Sequence, residues 1–191
     1  MQISNSHWYA LYVKTGYEDE TKSLLEQKLG PTMIRCLLPK RRIPEKKEKN
    51  TKIVLKTMFP GYLLINVKMD FCTYYEIIKI PNVISLLTYN NKKDRTTSDH
   101  NTLIEGEANY FKALPSEEVN LILKLIDDND IVEFSKAFFD GEKLVIESGP
   151  LRELSCSIKK IEIRKSRAKI SLNFMETQYL MDVGILITRE Q

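Results

Sequence analysis

Cysteine, histidine and long apolar runs are scarce in this chain of 191 residues. Its three cysteines, Cys36, Cys72 and Cys156, lie far apart and form no CxxC spacing, so the sequence indicates neither a disulfide framework nor a thiolate zinc site. No apolar run of about 18 residues is present. The stretch MQISNSHWYA also lacks the regions of a secretory signal. We therefore expect a cytoplasmic protein with reduced thiols and no membrane partner.

Residues in patterns typical of catalysis are missing as well. The two histidines, His7 and His100, have no metal-ligand spacing and lie near no Ser or Cys motif. The stretch GYEDE at residues 16–20 lacks the glycines and the lysine of a phosphate-binding loop. The acidic stretch 127–130 does not follow the calcium-loop pattern. The sequence therefore predicts a protein that is not an enzyme and that holds no cofactor and no metal.

Basic residues are plentiful but concentrated in two segments. Residues 40–56 hold eight basic and two acidic residues, a net charge of +6, and residues 152–169 hold seven and two, a net charge of +5. Since the whole chain carries +3, the remainder carries −8. Local charge sets the local field, so two basic segments on an acidic protein favour a polyanionic partner. A solvated loop and a solvated sheet face are the alternatives.

The second basic segment contains an alternating pattern, IKKIEIRKSRAKISL, at residues 158–172. It predicts a hairpin whose apolar face carries Ile161, Ile163, Ala168, Ile170 and Leu172. Its polar face would carry Lys160, Glu162, Arg164, Arg167, Lys169 and Ser171, with Lys165 in the turn. Like charges on neighbouring strands cost stability. The face is therefore expected either to bind phosphates or to keep a sheet edge from aggregating.

Strand and helix signals divide the chain into two parts. The first part has apolar runs that predict strands over 8–13, 59–67 and 82–89. Helices are expected over 17–29, from a capping box of Thr73 and Glu76 to Ile80, and after the N-cap Ser116. Everything after about residue 140 reads as short strands with close turns, which is typical of a small, strongly bent barrel.

Three stretches together resemble the NusG family of transcription elongation factors: WYALYVKTGYE, MFPGYLLINV with PNVISLL, and GEKLVIESGPLRELSCSIKKIEIRKSRAKI. The resemblance implies an NGN domain over 1–114, a helix and linker over 115–140, and a KOW domain over 141–191. The fold class is then α+β, an antiparallel sheet flanked by helices and joined to a small β-barrel. The basic C-terminal hairpin is most similar to specialised antiterminators of the LoaP type. Cys156 and Glu153 stand where the family has a glycine and a small residue.

The resemblance implies a monomeric, non-enzymatic regulator that binds RNA polymerase. In this family the NGN domain docks on the clamp helices of the largest subunit through an apolar depression, and the matching positions are Tyr12, Phe59, Tyr62, Leu64 and Leu86. Burial in the domain core is the alternative for each. Lys14 and Lys22 match the surface that contacts the non-template DNA strand. Both could equally be ordinary surface lysines.

A leader RNA hairpin is the expected partner of the KOW domain. The candidate RNA-binding residues are Arg152, Lys159, Lys160, Arg164, Lys165, Arg167 and Lys169. Arg164 and Arg167 stand out because a guanidinium fork can grip phosphates or a guanine edge. Residues 40–56, with Pro44 near their centre, are expected to form a mobile hairpin or loop whose tip is mainly solvated.

Three functions remain open on the sequence alone. The first is an operon-targeted antiterminator that uses polymerase and RNA. The second is a general elongation factor whose KOW domain binds a ribosomal protein or Rho. The third is a ribosome-associated RNA-binding protein that uses the barrel alone. Co-purification with RNA polymerase separates the third from the others, and selective binding of a leader RNA separates the first from the second.

Overall fold

The computed structural model describes residues 6–47, 50–87, 110–152, 158–175 and 177–188. The chain forms two compact units, the first made of residues 1–38 and 59–116 and the second of residues 39–58 and 117–191. Residues 40–57, which the sequence places inside the N-terminal domain, thus belong to the second unit. This division differs from the expected domain boundaries, because a segment from the first half of the chain packs with the C-terminal half.

The first unit is built on a four-stranded sheet in the order β2-β5-β1-β6. Its elements are β1 (His7–Val13), α1 (Glu18–Leu29), β2 (Ile34–Leu37), β5 (Tyr62–Val67), α2 (Phe71–Ile78) and β6 (Val83–Leu86). The strands predicted over 8–13, 59–67 and 82–89 correspond to β1, β5 and β6, with β1 central as expected. Strand β5 starts three residues later than predicted and β6 covers only four residues, while residues 88 and 89 lie outside the described residues. Antiparallel pairing of β1 with β5 matches Ala10 to Leu64 and Tyr12 to Tyr62.

One face of this sheet packs against both helices. Alternate residues of β1 and β5, among them Leu11, Val13, Leu63 and Ile65, form the core with Leu25 of α1 and Ile77 of α2, all of them fully buried. Because side chains alternate across a strand, the neighbouring positions of β1 and β5 point to the other face. That face carries Tyr12 and Tyr62.

The helix ends follow capping rules, with one correction. Helix α1 stops at Gly30, whose positive φ of 79° suits glycine, as the sequence predicts. Helix α2 does not begin with a capping box at Thr73. Its N-cap is Asp70, whose carboxylate accepts a hydrogen bond from the Thr73 N–H at 2.7 Å. Asp70 is the better cap because an ionised acceptor also interacts favourably with the positive helix end.

The second unit holds two sheets and a helix. Its elements are β3 (Lys40–Lys47), β4 (Asn50–Thr57), α3 (Ser116–Leu125), β7 (Ile131–Val132), β8 (Ser135–Asp140), β9 (Lys143–Ser148), β10 (Ile158–Glu162), β11 (Arg167–Phe174) and β12 (Thr177–Ile187). Strands β8 to β12 form a five-stranded sheet in the order β10-β11-β12-β8-β9, called here the C-terminal sheet. Strands β4, β3 and β7 form a three-stranded sheet.

Segment 115–140 is not simply a helix and a linker. Helix α3 begins at Ser116 as predicted. Residues 135–140, however, form β8, which lies between β12 and β9 in the C-terminal sheet and runs parallel to β12. The sequence missed this strand because SKAFFD is short and lacks a clean apolar alternation. The C-terminal sheet therefore starts before the boundary expected at residue 141.

Strands β3 and β4 pair as a hairpin, one of the two forms expected for residues 40–56, and this pair is called here the first hairpin. All eight residues of β3 pair with β4, and Lys40 and Arg41 also pair with β7. Ile43 and Pro44 are buried, while β4 is largely exposed. Pro44 is tolerated in β3 because β7 ends before it, so no second neighbouring strand needs its missing N–H. The hairpin was one of the two expected forms, and the buried side chains of Ile43 and Pro44 depart from the expected solvation, while residues 48 and 49 at its tip lie outside the described residues.

Candidate nucleic-acid and protein interfaces

The basic pattern at residues 158–172 forms the predicted hairpin, called here the C-terminal hairpin. Glu162 lies opposite Arg167, Ile161 opposite Ala168 and Lys160 opposite Lys169. One prediction fails at the turn. Ile163 starts a 3-10 turn over Ile163–Lys165, so it leaves the strand alternation and its side chain is 49% exposed instead of lying on the apolar face. Ser166 completes the reversal in the left-handed conformation, with φ of 51°.

The outer face of this hairpin presents lysines side by side. Lys160 and Lys169 are direct cross-strand neighbours, and Asp182 of β12 lies opposite Lys169 on the other side. Both lysine side chains are exposed, as are Arg164 and Lys165 in the turn. The opposite face of β11 is apolar, with Ala168, Ile170, Leu172 and Phe174 buried. The fold therefore holds the cations outward on a rigid element.

Glu162 pairs with two of these cations. It forms ion pairs with Lys165 at 3.0 Å and with Lys160 at 3.3 Å. Hydrogen bonds from Lys165 and Lys160 lower the pKa of the Glu162 carboxyl. Because both lysines remain about two-thirds exposed, at 64% and 65%, these pairs leave their ammonium groups accessible to an incoming phosphate.

Arg167 differs from the other predicted RNA contacts. Its guanidinium donates from Nε to the carbonyl oxygen of Pro44 at 2.9 Å and from Nη1 to Asp182 Oδ2 at 3.2 Å. The side chain is only 19% exposed. The sequence could not separate Arg167 from Arg164, because the partners of Arg167 come from other strands, and Pro44 is 123 residues away along the chain.

Two further candidates, Arg152 and Lys159, lie in a turn and at an irregular strand position. Arg152 is exposed in a 3-10 turn, Pro150–Arg152, that packs against β8 and β9 and is anchored by a hydrogen bond from Leu151 N to Ser135 Oγ. Its neighbours β8 and β9 are strands outside the C-terminal hairpin. Lys159 is exposed at an irregularity of β10. Glu153 and Cys156, which depart from the family pattern, lie outside the described residues.

The five predicted polymerase-binding positions do not share one surface. Tyr12 is 40% exposed and stacks obliquely on Tyr62, with ring centroids 5.3 Å apart. Phe59 and Leu64 are each 1% exposed, and Leu86 is buried in the core on the opposite face of the sheet. The buried alternative thus describes three of the five positions in this structure. The tyrosine pair is the part of the set that lies at the surface.

Glu18 holds the backbone around this tyrosine pair. Its buried carboxylate accepts hydrogen bonds from Gly16 N at 2.7 Å and from Gly61 N at 2.8 Å, which joins the turn before α1 to the turn before β5. Gly61 has φ of +81°, and a Cβ there would lie 3.2 Å from the Tyr12 ring. Sequence reasoning missed Glu18, although an acid at the first position of a helix after Gly16 was a signal for such a contact.

The two candidate DNA contacts, Lys14 and Lys22, belong to consecutive parts of the first unit. Lys14 is exposed directly after β1 and places its Nζ 4.5 Å from the centre of the Tyr17 ring, a cation–π distance. Lys22 lies on α1 and is partly buried. Burial raises the pKa of the Cys36 thiol to about 12, and the positive charge of Lys22 opposes this rise.

The parts of the chain that the structure describes contain no group of three or more His, Cys, Asp or Glu side chains arranged to hold a metal ion. Within the same ranges no helix has the length and apolar character needed to cross a membrane.

Comparison with known proteins agrees with this architecture. The sequence profile described as "Transcription termination factor nusG" matches residues 6–123. The transcription termination/antitermination protein NusG of Bacillus subtilis is 22% identical over 172 residues, which are 87% of this chain and 88% of that protein. NusG of Staphylococcus aureus strain Mu50 is 23% identical over 187 residues, covering 95% and 94% of the two chains.

A solved structure shows the same fold. The structure titled "Domain interaction in Thermotoga maritima NusG" aligns with a TM-score of 0.53 at 16% identity, over 94% of this chain and 93% of that chain. The architecture is therefore α+β, an NGN domain of sheet and helices with a C-terminal curled sheet of the KOW type. Since the family profile spans more than half of the residues, the chain belongs to the NusG family of transcription factors, which are not enzymes.

Proposed function

We propose that this protein is an operon-targeted antiterminator of the LoaP type, which binds RNA polymerase through the first unit and a leader RNA hairpin through the C-terminal hairpin. The family assignment supports a role on the transcription complex. The observation that carries the RNA-binding part is the cross-strand pair Lys160 and Lys169 on a rigid, outward face beside Arg164 and Lys165. Repulsion between these neighbouring cations destabilises the hairpin, and bound phosphates offset this repulsion.

Roles within this surface differ by residue type. The lysines contribute point charges that meet phosphates without regard to sequence. Arg164 is exposed in the turn and can insert its fork into an irregular groove or a loop, where RNA displays base edges. Arg167 is committed to Pro44 and Asp182 and is left out of the contact set.

The test uses the full chain, because a fragment starting at residue 141 would lack β8, the neighbour of β12 and β9. Lys160, Arg164 and Lys169 are replaced together by alanine. A control variant replaces Lys124, Lys136 and Lys143, which are exposed in the same unit and remove the same charge. We expect the first variant to lose binding of a stem-loop leader RNA and the control to keep most of it. Equal binding by both variants rules out the C-terminal hairpin as the RNA site.

For the first unit, the proposed polymerase contact is centred on Tyr12 and Tyr62. Aromatic anchors bury large areas with few torsions to fix, which suits a docking surface. The proposed contact with the non-template strand uses Lys14 and Lys22. A pull-down of RNA polymerase by the full chain is the direct check, and its absence would favour an RNA-binding protein that acts away from polymerase.

A general NusG factor is the second candidate, and it is favoured by the names of the relatives in Bacillus and Staphylococcus. In that case the C-terminal sheet binds a protein partner and shows no preference among stem-loop RNAs. Affinities for the leader of an affected operon and for a scrambled stem-loop of equal length separate the two functions. A preference of about 1 to 3 kcal/mol that depends on Arg164 supports the specialised antiterminator.

A further inference from the structure

The first hairpin is strongly basic, and its docking on the C-terminal sheet is not explained by the surface described above. The link is a group of three residues called here the arginine latch, namely Arg41, Arg167 and Asp182. Arg167 donates to Pro44 O of β3 and to the Asp182 carboxylate, and Arg41 Nη1 donates to the backbone oxygen of Asp182. Strand β3 is thus held across the outer face of β11 and β12.

Packing shows that this docking is built into the sheet. Gly184 lies opposite Arg167 in the register of β11 and β12. A Cβ at Gly184 would lie 2.5 Å from the Phe134 ring and 2.9 Å from the carbonyl oxygen of Arg42. The absent side chain leaves the space that β3 and Phe134 occupy.

The docking carries an electrostatic cost. Burial lowers the pKa of Arg41, the nearby Asp182 charge opposes this effect, and the Arg167 charge adds to it. Among the described residues Arg41 Nε is buried without a hydrogen-bond partner. Three acids moderate the repulsion: Asp182 at the latch, Glu133 paired with Arg42, and Glu45 paired with Lys56. A protein that brings two cationic segments together at such a cost gains stability when a polyanion binds both.

We propose that the first hairpin and the C-terminal hairpin form one continuous cationic surface for the backbone of a folded RNA, and that the arginine latch positions the first hairpin in it. This inference rests on the RNA-binding function proposed above and extends that site to a second element. Arg41, Arg167 and Asp182 act as positioning residues. The RNA-contacting groups added by the first hairpin are Lys46 and Lys52.

Contacts between the elements support a single surface. Strand β3 contacts the turn Ile163–Lys165, in which Arg164 and Lys165 are exposed. Lys46 is two residues, or about 7 Å of strand, beyond the latched Pro44 on β3. Lys46 and Lys52 are exposed and lie on opposite faces of the first hairpin, because Lys46 pairs with Thr51 and Lys52 pairs with Glu45. A phosphate backbone that lies on the turn of the C-terminal hairpin can therefore continue onto the first hairpin and pass between these two lysines.

The decisive experiment reverses charge on the first hairpin. Lys46→Glu and Lys52→Glu are combined in the full chain, and the control combines Lys136→Glu and Lys143→Glu at the edge formed by β8 and β9. Binding of a fluorescein-labelled stem-loop RNA is measured by anisotropy over a range of salt. We expect the first variant to bind at least about tenfold more weakly, with a salt slope reduced by about two, and the control to change little. Equal losses of RNA affinity in both variants would show that only the net charge of the protein matters, and this result would overturn the inference.

Two latch variants test positioning against simple charge. Asp182→Ala adds one unit of positive charge, so long-range attraction alone predicts tighter RNA binding, whereas loss of the latch predicts weaker binding. Arg167→Lys keeps the charge but cannot make both contacts, because lysine lacks the planar fork. We expect both to bind RNA more weakly and to show faster hydrogen exchange in residues 40–47. Parental affinity in a folded Asp182→Ala chain contradicts the inference.

Failure of this inference is distinguishable from failure of the proposed function. If replacing Lys160, Arg164 and Lys169 abolishes RNA binding while charge reversal on the first hairpin leaves it intact, the C-terminal hairpin binds RNA alone. If neither set of changes matters, RNA binding at this face is excluded altogether. Should the latch variants fail to fold by circular dichroism, the exposed Lys46 and Lys52 still decide the outcome, because their side chains support no core packing.

Discussion

At the scale of single residues, chemically similar side chains have different roles because their neighbours differ. Arg164 and Arg167 are three positions apart and equally basic, yet one is exposed in a turn and the other donates to Pro44 and Asp182. Phe59 and Tyr62 are likewise both aromatic, and only Tyr62 lies partly at the surface. A residue type therefore indicates what a side chain can do, and its environment determines which option is realised.

The tyrosine pair provides the first prediction. Tyr12→Ala and Tyr62→Ala should each weaken binding of RNA polymerase by about 2 kcal/mol if these rings anchor the contact. Because the rings touch, the double variant should lose less than the sum of the single variants. Surface plasmon resonance with immobilised polymerase measures the affinities. Tyr75→Ala, which removes an exposed tyrosine from α2, serves as the control, and folded variants with parental affinity would assign the pair to an ordinary surface.

Glu18→Gln tests the buried carboxylate beside that pair. The amide keeps one acceptor oxygen but turns its NH2 group toward a backbone N–H, so one of the hydrogen bonds from Gly16 and Gly61 is lost. We expect the free energy of unfolding to fall by about 1 to 3 kcal/mol in urea titrations. Glu20→Gln removes the same charge from an exposed position of the first helical turn. A loss of the same size in both variants would mean that the destabilisation comes from the interaction of the charge with the helix dipole and not from the two hydrogen bonds.

At the scale of elements, helices α1 and α2 and strands β1, β5 and β6 of the first unit follow from local sequence, whereas β2 was not predicted. Each of the signals for the predicted elements lies within a short stretch of sequence. Examples are the apolar runs of β1 and β5 and the glycine at position 30 that ends α1. Strands β7 and β8 were not predicted either, because two to six residues without a clean alternation form strands only where a partner strand is already in place. The N-cap of α2 was misplaced for a different reason, since both Asp70 and Thr73 are residue types that cap helices.

Turn glycines of the C-terminal sheet give a prediction at this scale. Gly149 has φ of +94°, and a Cβ there would lie 2.7 Å from the Ser135 Cα, whereas Gly141 has φ of +60° and open space around it. Gly141→Ala should cost about 1 to 2 kcal/mol of unfolding free energy from the left-handed backbone alone. Gly149→Ala should cost distinctly more, because backbone of β8 must move as well. Urea unfolding of both variants measures the difference, and equal losses would show that the Ser135 contact relaxes freely.

At the scale of the whole molecule, the charge distribution determines what the two units can bind. The basic segments 40–56 and 152–169 are far apart in sequence, and both belong entirely to the second unit. The rest of the chain is acidic, which limits non-specific attraction of nucleic acid to other surfaces. The field of the protein is therefore concentrated on the unit that carries the C-terminal hairpin.

Salt dependence tests this distribution directly. If Lys160, Arg164, Lys165 and Lys169 meet phosphates, log affinity for a stem-loop RNA should fall against log salt with a slope of about −3 to −4, taking the duplex-DNA coefficient as a guide. Replacing Lys160 and Lys169 by alanine should reduce the slope by about two. Anisotropy titrations at several salt concentrations provide both values. A slope near zero for the parent chain would assign RNA binding to contacts other than phosphates.

The sequence by itself determined the helices and most strands of the first unit, the basic face of the C-terminal hairpin and the family, because alternation, caps, charge and motifs are local properties of the chain. Tertiary structure alone decided that Leu86 faces the core, that the first hairpin packs with the second unit, and that Arg167 binds Pro44. Arg167 and Pro44 are 123 residues apart. Contacts of this kind arise only when strands from distant segments are brought into register, and no local pattern of residues specifies which segments will meet.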